Sequence, residues 1–218
     1  MNLAIRGLYV ITREDPGDTL LDDMRLALRG GATVIQYRNK RGDEALRLEQ
    51  ATRLRRLCRR HGVPFIVNDD IELARASGAD GVHLGRGDGT VAGARAALGS
   101  GAVIGVSCYD SLARARAAAE EGADYVAFGS FFPSPTKPRA VAATPGLLQQ
   151  AVNTLNIPVV AIGGITPENG ALLVRAGAHA LAVISGLYAD DGIEQAARRY
   201  AGLFETLTDR NKTNINHS

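Results

Sequence analysis

Three cations stand out by type and place. Arg38 and Lys40 follow the apolar run TVIQY, and Lys137 sits among prolines in GSFFPSPTKP. An arginine grips phosphate with a fork of N–H groups, and a lysine acts on it as a point charge. Together the three suit a polyanion. Two acids, Asp69 and Asp88, also follow short apolar runs, FIVN and GVHL. Carboxylates beside phosphate-binding cations point to Mg2+, which binds through one or two carboxylates plus substrate phosphates. Gly163-Gly164 and Ser185-Gly186 add two places where backbone N–H groups can approach an anion closely. The pattern predicts a site for two anions, one with a metal and one without.

Blander roles compete for several of these residues. Asp69 or Asp70 could cap a helix starting at Ile71. Gly163-Gly164 could be only a tight turn, and Arg38 with Lys40 a solvated pair. The arginines from Arg47 to Arg60 read as a solvated helix face. His83 sits within a strand-like run and reads as packing rather than as a ligand. Cys108 has no evident base to make it a nucleophile. The joint arrangement, not any single residue, favours a site.

The elements that must position these residues repeat along the chain. GGATVIQYR from Gly30, SGADGVHLG from Ser77, EGADYVAFGS from Glu121 and AGAHALAVIS from Ala176 resemble one another. Each follows a helix-like stretch and contains Gly-Ala. The glycine suits the left-handed end of a helix, and the next residues suit a strand. LYVIT at Leu8, FIVN at Phe65, VIGVS at Val103 and VVAIGG at Val159 bring the strand count to eight. Between strands the period turns helical. Leu46, Ala51, Leu54 and Leu57 share one face, and Ser111 to Glu121 and Glu168 to Ala176 read alike. Thr166-Pro167 combines a capping hydroxyl with a preset φ. Alternating strands and helices predict a parallel sheet, and eight units close into a single (β/α)8 TIM barrel of the α/β class. An open doubly wound sheet is the alternative, which the persistence of the repeat disfavours. Chemistry in such barrels sits on the loops after the strand C-terminal ends, where the three cations, Asp69, Asp88 and the two glycine-bearing turns fall. Those after strands 3 and 4 are neighbours, so Asp69 and Asp88 can reach one cation. The long loop from Gly129 to Pro145, which carries Lys137, reads as a functional segment.

The 218 residues are 45% hydrophobic and 22% charged, enough for a sizeable core. One domain is expected over residues 1–208, with 209–218 a polar, unstructured tail. A net charge of +2 gives no reason to expect nucleic acid. No run is long and apolar enough for a membrane span, and none at the N-terminus resembles a signal peptide. Cys58 and Cys108 are too few for a disulfide framework and suit a reduced, cytoplasmic setting.

Six stretches in order resemble the thiamine phosphate synthase family. They are IQYRNK (35–40), VNDDIELARASGADGVHLGRGD (67–88), IGVSCY (104–109), AFGSFFPSPTK (127–137), VVAIGGI (159–165) and AVIS (182–185). The resemblance implies a (β/α)8 barrel, Mg2+ and two small-molecule substrates. These are 4-amino-2-methyl-5-(diphosphooxymethyl)pyrimidine and thiazole phosphate or its carboxylate, which yield thiamine phosphate and pyrophosphate. It implies pyrimidine diphosphate contacts at Gln36, Tyr37, Arg38, Asn39, Lys40 and Asn68, and Mg2+ ligands at Asp69 and Asp88. Ser107 and Lys137 resemble further pyrophosphate contacts. Ser134, Pro135, Thr136, Gly164, Ile184 and Ser185 resemble the thiazole phosphate contacts. Arg38, Lys40, Ser107 and Lys137 would then act on the departing pyrophosphate. Tyr37, Arg86 and Ser134 depart from the residues frequent there, Leu, Gln and Thr, and Arg86 could alter the loop near the metal. A homo-oligomer is compatible with the resemblance. Two rivals share the barrel, a thiazole tautomerase-like isomerase and a non-catalytic ligand-binding regulator. Lys40, Asn68, Asp69, Asp88 and Lys137 argue against the first, and the charges at seven strand ends against the second.

Overall fold

The four Gly-Ala junctions of the repeat are four helix-to-strand turns. Gly31, Gly78, Gly122 and Gly177 have φ of 99°, 65°, 90° and 96°, a region open to glycine and strained for other residues. Each turn hands the chain from an outer helix to an inner strand. The computed structural model describes residues 5–14, 17–133, 143–188 and 192–215, with side chains as far as residue 205.

The strands are β1 (Gly7–Ile11), β2 (Ala32–Tyr37), β3 (Phe65–Asn68), β4 (Gly81–Leu84), β5 (Val103–Tyr109), β6 (Tyr125–Phe128), β7 (Val159–Ile162) and β8 (Ala180–Val183). They pair in parallel in sequence order, and β1 pairs β8 to close the barrel. All eight expected strands are present, and closure removes the open doubly wound alternative. The helices are α1 (Leu20–Arg29), α2 (Glu44–His61), α3 (Ile71–Ser77), α4 (Val91–Leu98), α5 (Leu112–Glu120), α6 (Pro145–Thr154), α7 (Pro167–Arg175) and α8 (Ile193–Ile215).

Alternation along each strand sends side chains to two cores. Tyr9, Val34, Ile66, Tyr125 and Val160 fill the barrel interior. Leu8, Ile35, Val67, Val82 and Val126 face outward to meet the helices. In α2, Ala51, Leu54 and Leu57 are buried as expected. Leu46, in the first turn at the edge of that stripe, is 42% exposed instead. Ser111 and Thr166 cap α5 and α7, and Thr166 forms a capping box with Asn169. The backbone of α8 continues helical to Ile215, into the stretch expected to be an unstructured tail.

Candidate active site

Gln36 and Arg38 share the inward phase of β2, while Tyr37 and Asn39 take the outward phase. The pleat therefore divides the expected pyrimidine diphosphate contacts between two adjoining spaces. Gln36 and Arg38 line a cavity of about 480 Å³ over the barrel axis, together with His83, Ser107, Gly164, Ile184 and Ser185. Tyr37, Asn39 and Lys40 line a neighbouring cleft of about 900 Å³ with Asp69 and Asp88. Asn68 lines both.

Most polar atoms of Tyr37 and Asn39 are committed to the protein. The Tyr37 hydroxyl donates to Gln50 Oε1 on α2 at 2.6 Å, and Asn39 Nδ2 donates to the same oxygen at 3.1 Å. Asn39 Oδ1 accepts from the N–H groups of Arg41 and Gly42 at 3.0 and 2.9 Å. These bonds shape the loop that presents Lys40. Thr12 ties the other side, accepting from Arg38 N at 2.8 Å and donating to Arg38 O at 3.0 Å. Arg38 Nη1 lies 3.5 Å from Glu14 Oε2.

The two acids come together as adjacent strands predict. Asn68 pairs with His83 across β3 and β4, and the chain turns sharply at Asp69, where φ is 66°. The Asp69 and Asp88 carboxyls meet beside Gly85 and are electrostatically coupled. Lys40 Nζ lies 3.0 Å from Asp69 Oδ2, and Gly85 N donates to Asp88 Oδ2 at 2.9 Å. Burial works to raise the Asp69 carboxyl, but the adjacent Lys40 ammonium and the coupling to Asp88 outweigh it and the net shift is downward. Burial and the adjacent Asp69 charge push Asp88 upward. Two carboxylates this close call for a cation between or beside them, and Lys40 supplies one charge for the pair. Among the described residues no group of three or more His, Cys, Asp or Glu could hold a metal. A metal here would have two protein carboxylates and take its other ligands from phosphate and water, which is how Mg2+ binds. The residues fit Mg2+.

Asp70 caps α3 by accepting from Leu73 N at 2.8 Å, and it pairs with Arg47 Nη2 at 2.6 Å. The capping reading holds for Asp70, and Asp69 is left for the site. Arg47 is thus anchored, where the sequence suggests only a solvated face.

On the far side of the cavity, Gly163 and Gly164 have φ of 105° and 63°. A Cβ on Gly164 would collide with the carbonyl oxygens of Phe132 and Pro133. The turn is therefore packed beneath the segment leaving β6. Asn169 Nδ2 donates to Gly164 O at 3.0 Å, which ties the turn to the cap of α7. Ile184 and Ser185 line the same wall, and Ser185 opens a short 3-10 turn. Ser134, Pro135, Thr136 and Lys137 lie outside the described residues.

The sequence reading missed a polar line along the cavity wall. His83, read there as packing, has Nε2 2.9 Å from Ser107 Oγ and Nδ1 3.0 Å from the Tyr125 hydroxyl. Tyr125 meets Tyr9, and Tyr9 meets Gln36. The available signal was phase: Tyr9 and Tyr125 fall on inward positions, where a phenol needs a partner. Arg86 also lines the cavity, with its Cζ 5.2 Å from the centre of the Tyr109 ring. Burial pushes the Cys108 thiol up to about 12, in line with its expected inertness.

A closed parallel barrel with cations, paired acids and glycine turns at its strand C-terminal ends defines a class, the barrel enzymes that act on phosphorylated small molecules. A family model described as thiamine monophosphate synthase matches residues 8–187. A thiamine-phosphate synthase of Thiobacillus denitrificans is 53% identical over 199 residues, covering 91% of this chain and 94% of that protein. One from Chromobacterium violaceum is 54% identical over 206 residues, covering 92% and 97%. The solved thiamine phosphate pyrophosphorylase of Pyrococcus furiosus superposes with a TM-score of 0.83 at 35% identity, covering 92% of this chain and 96% of that one. The chain belongs to the thiamine monophosphate synthase family, and it is a transferase. No helix among the described residues is long and apolar enough to cross a membrane.

Proposed function

We propose that the chain joins 4-amino-2-methyl-5-(diphosphooxymethyl)pyrimidine to thiazole phosphate, or its carboxylate, releasing thiamine phosphate and pyrophosphate in the cytoplasm. One observation carries this reading. Arg38 and the Lys40–Asp69–Asp88 cluster lie on the β2–β4 side of one mouth, and the Gly163-Gly164 turn and Ser185 lie opposite, after β7 and β8. Two anions can bind there with their reactive ends facing across the cavity.

The diphosphate C–O bond breaks with its electron pair leaving on pyrophosphate, and the aminopyrimidine spreads the positive charge left on its exocyclic carbon. The thiazole nitrogen supplies the electron pair of the new C–N bond. Arg38, Lys40 and Ser107 stabilise the charge that grows on the leaving oxygens. From outside the described residues, Lys137 joins them, and Ser134, Pro135 and Thr136 contact the thiazole phosphate. Asp69 and Asp88 would hold Mg2+, which when bound supplies further positive charge to the diphosphate. Backbone N–H groups at Gly164 and Ser185, with Ile184 beside them, position the thiazole phosphate. Holding two rings at bonding distance supplies much of the remaining acceleration. No side chain forms a bond to substrate.

The test is incubation of the purified protein with both substrates and Mg2+, followed by measurement of thiamine phosphate and pyrophosphate. Both products are expected in equal amounts. A protein that only isomerises a thiazole, or only binds these compounds, would refute the reading.

A further inference from the structure

Five polar side chains from five strands form one unbroken line along the cavity wall. Gln36 Nε2 donates to Tyr9 Oη at 2.8 Å, and Tyr9 Oη lies 2.8 Å from Tyr125 Oη. Tyr125 Oη lies 3.0 Å from His83 Nδ1, and His83 Nε2 lies 2.9 Å from Ser107 Oγ. All five residues line the cavity.

Counting hydrogens restricts how such a line can run. Burial raises both phenols well above their ordinary 10.0, so each keeps its single hydrogen. A neutral imidazole also carries one ring hydrogen. With Gln36 oriented as it is here, its N–H points to Tyr9. Tyr9 must then give its hydrogen to Tyr125, and Tyr125 to His83 Nδ1. His83 donates from Nε2 to Ser107. The Ser107 hydrogen is left for whatever occupies the cavity, and Gln36 Oε1 is left to accept. If the Gln36 amide turns over, every bond reverses. Gln36 then shows its NH2 to the cavity, and Ser107 gives its hydrogen to His83. A mixed line would set two donors or two acceptors face to face in a buried place, which is costly.

We infer that this line is a specificity device, coupling the end that reads the pyrimidine ring to the end that meets the diphosphate. The inference rests on the function proposed above and deepens it. A ring that offers an N–H to Gln36, as an aminopyrimidine does, keeps Oε1 toward the cavity and leaves Ser107 free to donate to a phosphate oxygen. A ring that offers a carbonyl oxygen turns the amide, reverses the line and removes that donor. The oxopyrimidine is thus penalised at the diphosphate, where it does not differ from the substrate. Tyr9, Tyr125 and His83 act through Gln36 and Ser107 and are positioning residues.

The first test needs no turnover. Ring-nitrogen NMR of His83 in the free protein should find the hydrogen on Nε2. In Gln36→Glu the carboxylate can only accept, so the hydrogen should move to Nδ1. A hydrogen that stays on Nε2 in Gln36→Glu, or that sits on both nitrogens, overturns the inference. The second test uses the intact enzyme, Mg2+, thiazole phosphate and two diphosphates, the 4-amino substrate and its 4-oxo counterpart. Wild type should prefer the amino compound by roughly 10²-fold in kcat/KM. Tyr9→Phe and Tyr125→Phe each cut the line, and should lower that preference about 10-fold while the thiazole phosphate KM holds. An unchanged preference in both variants overturns the inference. A wild-type protein that makes no thiamine phosphate refutes the proposed function instead, and the NMR test still decides the line.

Discussion

At the scale of single residues, Lys40 and Gly164 separate the two halves of the mouth. Lys40 is held by the Asn39 loop and sits 3.0 Å from Asp69. Lys40→Ala should lower kcat/KM for the pyrimidine diphosphate by about 10²-fold, as for loss of one stabilising donor. The thiazole phosphate KM should stay near wild type. Steady-state rates with each substrate varied in turn will show this, and an equal effect on both would place Lys40 elsewhere. Gly164→Ala should do the reverse. Its Cβ meets the Phe132 and Pro133 carbonyls, and its φ is 63°, so the turn must shift. The thiazole phosphate KM should rise several-fold more than the pyrimidine KM. The approach of Asp69 to Asp88 was legible in the sequence because they follow two neighbouring parallel strands, β3 and β4. Tyr9 and Tyr125 were not. A buried tyrosine in a strand looks like any core aromatic until its hydroxyl partners, on distant strands, are known. The outward placement of Tyr37 follows from the two-residue period, which a motif read as one block conceals.

Elements carry the site through their ends. Thr166 accepts from Asn169 N, Asn169 Oδ1 accepts from Thr166 N at 2.9 Å, and Asn169 Nδ2 reaches Gly164 O. Thr166→Ala should cost about 1 kcal/mol of stability, measured by urea unfolding. It should also raise the thiazole phosphate KM, because the Gly164 turn loses part of its anchor. Stability loss with an unchanged KM would show that cap and turn are independent. Strand β5 makes room for β6 in the same way. A Cβ on Gly105 would run into the Tyr125 ring. Gly105→Ala should therefore destabilise the barrel by roughly 1–3 kcal/mol, as overpacking does. The eight strands and the starts of α5 and α7 were legible because each repeat states its turn, its strand and its cap locally. The helical course of α8 beyond residue 208 was not, since DRNKTNI lacks an apolar stripe and helix propensity alone is a weak guide.

For the molecule as a whole, His179 links stability to pH. Its Nδ1 accepts from Val159 N at 3.1 Å, its backbone N–H donates to Val159 O at 2.9 Å, and its carbonyl accepts from Gly7 N at 2.8 Å. It thus joins the starts of β7, β8 and β1. Burial, which disfavours the charged imidazolium, lowers its pKa from the ordinary 6.5. The unfolded chain takes up this proton first as pH falls. The contribution is therefore full above about 6.5, and is lost as pH drops from there through the folded value. Thermal melts between pH 8 and 5 should show a decline in Tm that is smaller in His179→Asn, and matching slopes would remove His179 as the cause. The same junction bears on how the protein is made. β1 leaves the ribosome well before β8, yet each needs the other as a neighbour. Until Ala180–Val183 has emerged, β1 and β7 both present bare strand edges, which recruit other chains. Synthesis that halts before β8 should leave a sticky product, so a fragment of residues 1–179 is expected to aggregate where the full chain remains dispersed.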